Sequence, residues 1–497
     1  MRGDYEVALD HVNRSLSTNT DNIMALNLKG FILRKSGATA EAHAWFEMVL
    51  EKTKINYMAM NELISMNNAK GNRAKADADL KKLSRWMRDD IQAYLEFSAE
   101  YMVISAYKEA IEVLNRIEAK GNTYPMLYYF LGYLNEIQGI KDKALTYYKK
   151  ANMMPSDYCF PYRSEEVTVL KRAIAMDPDG AKAPYYLGNL YYERQPQKAI
   201  DLWEKSAKLD PKFYIVHRNL SLAYNEIEKD YTKALASIKK AGELSNDDIR
   251  LLIEVDDLYE LNKYPPKDKY EYLMANYSTA TKRSETLLRL ITRAVEYGKY
   301  DEALKALKEN NLSETEGSRG IQNAYLNSYL LRALALIDKK DYNAALKDVE
   351  SALAFPIGLV DRGRLAQLYY LEGLVTELSG NGTKARESYE KAIQVDITSN
   401  NDREYNYYKG LALIKINKSE EAKTLFQGML GTTGDDSGYT QFEGRTTNLA
   451  QQVTRYYMAG LGYMGLGDKA KASAEFKKAL ELNPGHIWSQ TYLNSLK

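Results

Sequence analysis

The side chains that could do chemistry are few and widely separated. Four histidines, His11, His43, His217 and His486, are spread over 497 residues. No two have the i, i+4 spacing by which a helix presents two imidazoles to one metal ion. His217 falls on a first helix of the pattern described below, and surface or packing roles are expected for all four. The single cysteine, Cys159, has no histidine pattern beside it, so a small packing residue is expected and not a nucleophile. The stretch 460–465, GLGYMG, matches G-x-G-x-x-G, but a dinucleotide fingerprint needs a preceding strand and a helix that opens at the glycines. Here Gly460 lies within a helix and Gly465 at its turn. No phosphate loop, nucleophile elbow or calcium loop is present. The carboxylate pairs Asp256–Asp257 and Asp435–Asp436 are of the kind found on solvated helices and loops. These residue types predict no enzyme, no metal site and no cofactor.

Composition narrows the partners. Lysine and arginine number 68 and aspartate and glutamate 67, for a net charge of +1. That balance has no footprint for nucleic acid or an anionic membrane. No apolar run reaches the roughly 18–20 residues that span a bilayer. The opening residues, MRGDYEVALD, are charged and amphipathic and do not read as a signal peptide, which leaves the compartment open. One cysteine cannot form an internal disulfide. Tyrosines number 41 against 10 phenylalanines, suiting helices that bury a ring and keep a polar tip wet.

The elements that must position any site repeat. Ala8, Ala42, Ala76, Ala110 and Ala144 are spaced 34 residues apart, each followed four places on by a bulky apolar residue: Val12, Phe46, Leu80, Leu114 and Tyr148. Positions i, i+4 and i+7 share one helix face, so each alanine marks the buried side of a second helix. First helices carry Leu26 and Gly30, Leu131 and Gly132, and Leu187, Gly188 and Tyr191, with small residues where two backbones come closest. Turn residues fall between helices at Gly71–Asn72 and Gly298–Lys299, and Pro178, Pro211 and Pro484 end second helices.

This pattern resembles the tetratricopeptide repeat. Its cleanest copies are YYLGNLYYERQPQKAIDLWEKSAKLDP, from Tyr185 to Pro211, and YMAGLGYMGLGDKAKASAEFKKALELNP near the end. Further anchors at Ala199, Ala234, Ala303, Ala345, Ala385, Ala422 and Ala472 bring the number of units to about twelve, the partial one at 1–20 included. The resemblance implies an all-α, right-handed superhelical solenoid of antiparallel helix pairs. It breaks at 158–180, where Pro161 leaves no room for a first helix. It breaks again at 262–284, which has paired prolines and no alanine anchor, and longer connections are expected at 308–322 and 428–448, the last a surface loop. These breaks suggest three segments, 1–157, 158–283 and 284–497, with a capping helix at 485–497. Because the chain opens inside a second helix, it is expected to be the carboxy-terminal part of a longer protein.

Two stretches, YCFPYRSEEVTVLKRAIAMDPDGAKAPYYLGNLYY and TEGSRGIQNAYLNSYLLRALALIDKKDYNAALKDVESALAFPIGL, look like the repeat tail of large bacterial proteins. Those begin with a β-rich domain of unknown function similar to sugar-binding sandwiches. The chain departs from them at TEGSRGIQNAY, where a tryptophan and a histidine are commoner. In tetratricopeptide arrays the first helices line a concave face. The resemblance places Met126, Tyr129, Tyr133, Lys182, Tyr185, Asn189, Tyr192, Arg218, Asn225, Tyr370, Tyr407 and Tyr457 on it. A scaffold holding a peptide or protein partner there is expected, with the missing amino-terminal domain as one candidate partner. The alternative is an accessory region of a carbohydrate-active protein that supports that domain or contacts glycan. Asn27, Asn61 and Tyr129 stand where a carboxylate-gripping lysine would be, so a carboxy-terminal peptide carboxylate is not the expected ligand.

Overall fold

The computed structural model describes all residues except 1–3, 246, 314–318, 357–361, 398–399, 431–445 and 497. The connection expected at 428–448 and the pair Asp435–Asp436 therefore lie largely or wholly outside the described residues. Every regular element among the described residues is helical. The chain forms two compact units, 1–228 and 229–497, each a stack of antiparallel helix pairs.

The first unit opens with α1 (Tyr5–Thr18). Pairs follow at α2 (Ile23–Lys35) and α3 (Thr39–Lys52), α4 (Tyr57–Ala69) and α5 (Arg73–Met87), α6 (Ile91–Val103) and α7 (Tyr107–Glu118), and α8 (Pro125–Ile137) and α9 (Lys141–Met153). The single helix α10 (Ser164–Met176) comes next, then the pair α11 (Lys182–Tyr191) and α12 (Pro196–Leu209). The unit ends with α13 (Tyr214–Ala223), which runs into a π-helical turn, Tyr224–Glu228. The second unit opens with α14 (Tyr231–Leu244). Next come α15 (Ile249–Leu261), α16 (Pro266–Ala275) and the short α17 (Tyr277–Ala280), then α18 (Ser284–Tyr297) and α19 (Tyr300–Glu309). The remaining pairs are α20 (Gly320–Asp338) and α21 (Tyr342–Leu353), α22 (Arg364–Leu378) and α23 (Gly382–Gln394), α24 (Asn406–Lys415) and α25 (Ser419–Leu430), and α26 (Thr446–Gly465) and α27 (Lys469–Leu482). Helix α28 (Ile487–Ser495) closes the chain.

Local chemistry sets the ends of these helices. Asn22 and Asn56 cap α2 and α4 by accepting the Ala25 and Ala59 N–H groups at 3.2 and 2.9 Å, a bond worth about 1 kcal/mol. Gly298 ends α18 with a left-handed φ of 84°, which its missing Cβ permits. The anchor alanines from Ala42 to Ala472 are all buried. Opposite them, a first-helix glycine receives an aromatic ring from its partner helix. A Cβ on Gly132 would lie 2.6 Å from the Tyr148 ring, and one on Gly460 2.4 Å from Phe476. The glycines of GLGYMG are thus packing contacts within α26.

Two expectations need correction. Asp256 is not solvated: it is fully buried and binds Arg293 (2.9 Å) and Arg289 (3.1 Å) from α18. The segment 262–284 holds a true second helix, α16, which Pro266 opens from the first turn, where its missing N–H costs nothing. At its anchor position stands Lys269, only 1% exposed, its ammonium 2.5 Å from Glu260 and 3.6 Å from Glu296. Burial raises the Glu296 carboxyl above its ordinary range, against the pull of Arg293 and Lys269.

Candidate binding face

In the first unit the place of a missing first helix is taken by a non-helical segment, residues 154–163, and α10 packs directly on α8. The segment crosses the N-terminal ends of α6, α8 and α11. Cys159 is its inner anchor. Burial pushes its thiol up to about 11, and it faces the hydroxyls of Tyr124 and Tyr186. Its surroundings are those of a packing residue, which disfavour the thiolate. The outer anchor is Glu166, whose carboxylate accepts the N–H groups of Tyr162 and Arg163, each at 2.7 Å. The Arg163 guanidinium then reaches α6, donating to Gln92 (2.8 Å) and Glu96 (2.7 Å). Along the segment three aromatic side chains point outward: Tyr158, Phe160 and Tyr162, 89%, 68% and 62% exposed. Tyr158 holds a left-handed φ of 58°, uncommon for a bulky residue.

Beneath and beside this segment lie the residues expected on the face. Met126, Tyr129 and Tyr185 are buried. The Tyr129 ring packs edge-on to Tyr186, and burial raises its hydroxyl far above the usual range. Tyr185 packs edge-on to Phe213 at 4.9 Å. Lys182 is half-buried, donates to the Met154 carbonyl, and has its ammonium pKa lowered by desolvation. Asn189 accepts from Trp203 Nε1 (3.1 Å) and from Asn219 Nδ2 (3.0 Å). Tyr192 donates to Glu226 at 2.9 Å, and burial together with that carboxylate pushes its hydroxyl up to about 12. Tyr133, Arg218 and Asn225 are half-buried, and Asn225 Oδ1 has no hydrogen-bond donor.

The second unit treats the corresponding face differently. Tyr370, Tyr407 and Tyr457 are buried, and two of them lie under α28. Tyr492 of α28 packs on Tyr407 (5.7 Å), Tyr457 (6.4 Å) and Phe476 (5.9 Å), and its hydroxyl bonds that of Tyr408. Trp488 Nε1 donates to Asn327 Oδ1 on α20, 3.1 Å away. His486 caps α28 with its ring 4.7 Å from Tyr457, and desolvation lowers its pKa to about 4. Sequence reasoning took this helix for a terminal cap and missed its seat. The available signal was Trp488 and Tyr492 at i, i+4, an aromatic stripe that needs an apolar floor.

Among the described residues no group of three or more histidine, cysteine, aspartate or glutamate side chains could hold a metal ion, and no helix is long and apolar enough to cross a membrane. Residues 453–486, covering most of α26 and α27, match the tetratricopeptide repeat family. The helix pairs place the chain among all-α tetratricopeptide-type solenoids. Among solved structures it is similar to the Cut9–Hcn1 hetero-tetramer of APC/C, at 14% identity over 97% of this chain and 98% of that one, with a TM-score of 0.26. It is also similar to MamA, at 25% identity over 38% and 97% of the two chains, with a TM-score of 0.19. A third is PilF of Pseudomonas aeruginosa, at 17% identity over 44% and 89%, with a TM-score of 0.26.

Proposed function

We propose that this chain is a non-catalytic interaction scaffold that binds a peptide or protein partner on the first-helix face of residues 1–228. The observation that carries this reading is the tethered segment 154–163. It buries Cys159 and ties down Arg163, yet leaves Tyr158, Phe160 and Tyr162 in solvent. Aromatic side chains on a fixed backbone lose little entropy on contact, and tyrosine is among the residues that most often anchor interfaces. The half-buried rim of Lys182, Asn189, Tyr192, Arg218 and Asn225 adds polar groups that fix the direction of an extended peptide.

The test is selection of peptides from a displayed library on the intact chain, followed by titration calorimetry with the triple variant Tyr158→Ser, Phe160→Ser, Tyr162→Ser. A loss of at least about tenfold in affinity at unchanged melting temperature is the expected result. Equal affinity removes the segment from the site.

The same three rings favour a second reading, in which the repeats belong to a carbohydrate-active protein and contact glycan, because aromatic faces also stack on sugar rings. Binding of soluble oligosaccharides that the triple variant loses, with no peptide selected, decides for it.

A further inference from the structure

A cavity of about 200 Å³ lies in the second unit, between α20, α22, the N-terminal end of α24 and the start of α28. Its wall includes Asn323, Asn327, Arg364, Gln367, Trp488 and His486. Arg364 is 4% exposed, and among the described residues no carboxylate lies within ion-pair distance of it. Its Nη1 donates to Asn323 Oδ1 at 2.7 Å, its Nη2 donates to Asn327 Oδ1, and its Nε is buried without an acceptor. A buried guanidinium with only amide partners is costly unless an anion completes it.

The two asparagines are oriented without ambiguity. Arg364 and Trp488 are donor-only groups, so Asn327 must turn its oxygen to both, and Asn323 must turn its oxygen to Arg364. Their Nδ2 groups have no other acceptor among the described residues and are left as donors. The cavity wall also holds Arg319 and Glu404, each with other contacts of its own, so the charge that counts here is that of Arg364. His486 adds none near neutral pH. Asp402, also buried, is neither on the cavity wall nor within ion-pair distance of Arg364. A buried guanidinium without a carboxylate partner, amide donors beside it and a small, partly open volume describe the counterpart of one small, singly charged oxyanion.

We propose that this cavity binds a small monocarboxylate, held by the Arg364 guanidinium and the side-chain amides of Asn323 and Asn327, with Trp488 and His486 of α28 closing over it. The site is separate from the face proposed for the partner, and its failure would leave that reading intact.

The Trp488 indole N–H reports on the site because it bonds Asn327. The chain, labelled with ¹⁵N-tryptophan, is titrated with acetate, lactate and inorganic phosphate at constant ionic strength, and Trp488→Phe assigns the resonance. A saturable shift of Trp488 with acetate or lactate is expected, with the resonances of Trp45, Trp86 and Trp203 unmoved. Arg364→Gln should weaken it at least about tenfold. Because that variant could lose the fold, Asn327→Asp is the second: it places a carboxylate against Arg364, keeps the bond to Trp488, and should abolish the shift while the chain stays folded by circular dichroism. Absence of any saturable shift, a shift unchanged in Asn327→Asp, or tighter binding of phosphate than of either carboxylate would overturn the proposal.

Discussion

In residues 1–228 a non-helical segment, 154–163, lies over first-helix tyrosines; in residues 229–497 a helix, α28, does. Both strips come from this chain, and both pack against tyrosines of first helices. They differ in what they turn outward. The segment turns at Tyr158 and alternates from there on, so Cys159 and Pro161 go in while Phe160 and Tyr162 go out. Helix α28 puts Trp488 and Tyr492 on one side and spends both against the floor. A strip with period 2 makes a covered face that still presents aromatic groups, whereas a helical strip makes a covered face that borders a cavity. The same repeat thus yields an outward-facing surface in one unit and an inward-facing one in the other.

The largest way to break this contrast is to remove the floor contacts of α28. Trp488→Ala with Tyr492→Ala should cost the second unit about 3–5 kcal/mol, the range for deleting one fully buried aromatic, since both are half-buried. Denaturant unfolding followed by hydrogen exchange should show that loss in 229–497 and none in 1–228.

Acid sharpens the contrast. His486 has a folded pKa of about 4 against an ordinary 6.5, so its neutral form is the one that folds. The stability it contributes is complete above pH 6.5 and is lost as pH falls toward 4, by roughly 3 kcal/mol at most. His486→Gln should flatten that dependence in the second unit. In the first unit the fully buried Glu62, ion-paired with Arg34, carries the opposite sign, because burial raises its carboxyl above 4.5. Its contribution is present below pH 4.5 and falls as pH rises through the raised value. Glu62→Gln should therefore gain relative to wild type over that rise, measured as the difference in urea midpoints across pH 4 to 8.

Gly132→Ala and Gly460→Ala should make the units alike again. Each forces a methyl group against an aromatic ring, and each should cost about 1–3 kcal/mol in its own unit by thermal melting. The smallest effect belongs to the triple serine variant at 158, 160 and 162, which should change stability by no more than about 0.5 kcal/mol, because the three rings are mostly exposed and the contacts of Tyr162 with Arg163 and Glu96 lie at the surface.

The helix pairs were legible because the alanine anchors and facing glycines obey a steric rule that composition cannot disguise. The pair ending in α16 was not, because Lys269 occupies the alanine position and is accommodated by carboxylates from α15 and α18, 9 and 27 residues away in sequence. Asp256 was misread for the same reason: its arginine partners sit on another pair. The tyrosines expected on the face rest on repeat position, which places a side chain on a helix but does not say what later packs over it. The cavity at Arg364 drew on residues from 319 to 488, a span that no local pattern reaches.

The seat of α28 underlies the contrast between the units, and hydrogen–deuterium exchange of the intact chain tests it most directly. The amides of residues 487–495 should be protected as strongly as those of α24, which lies beneath them. Complete exchange of that segment within seconds, while α27 remains protected, would contradict the account and leave the second unit with an open face.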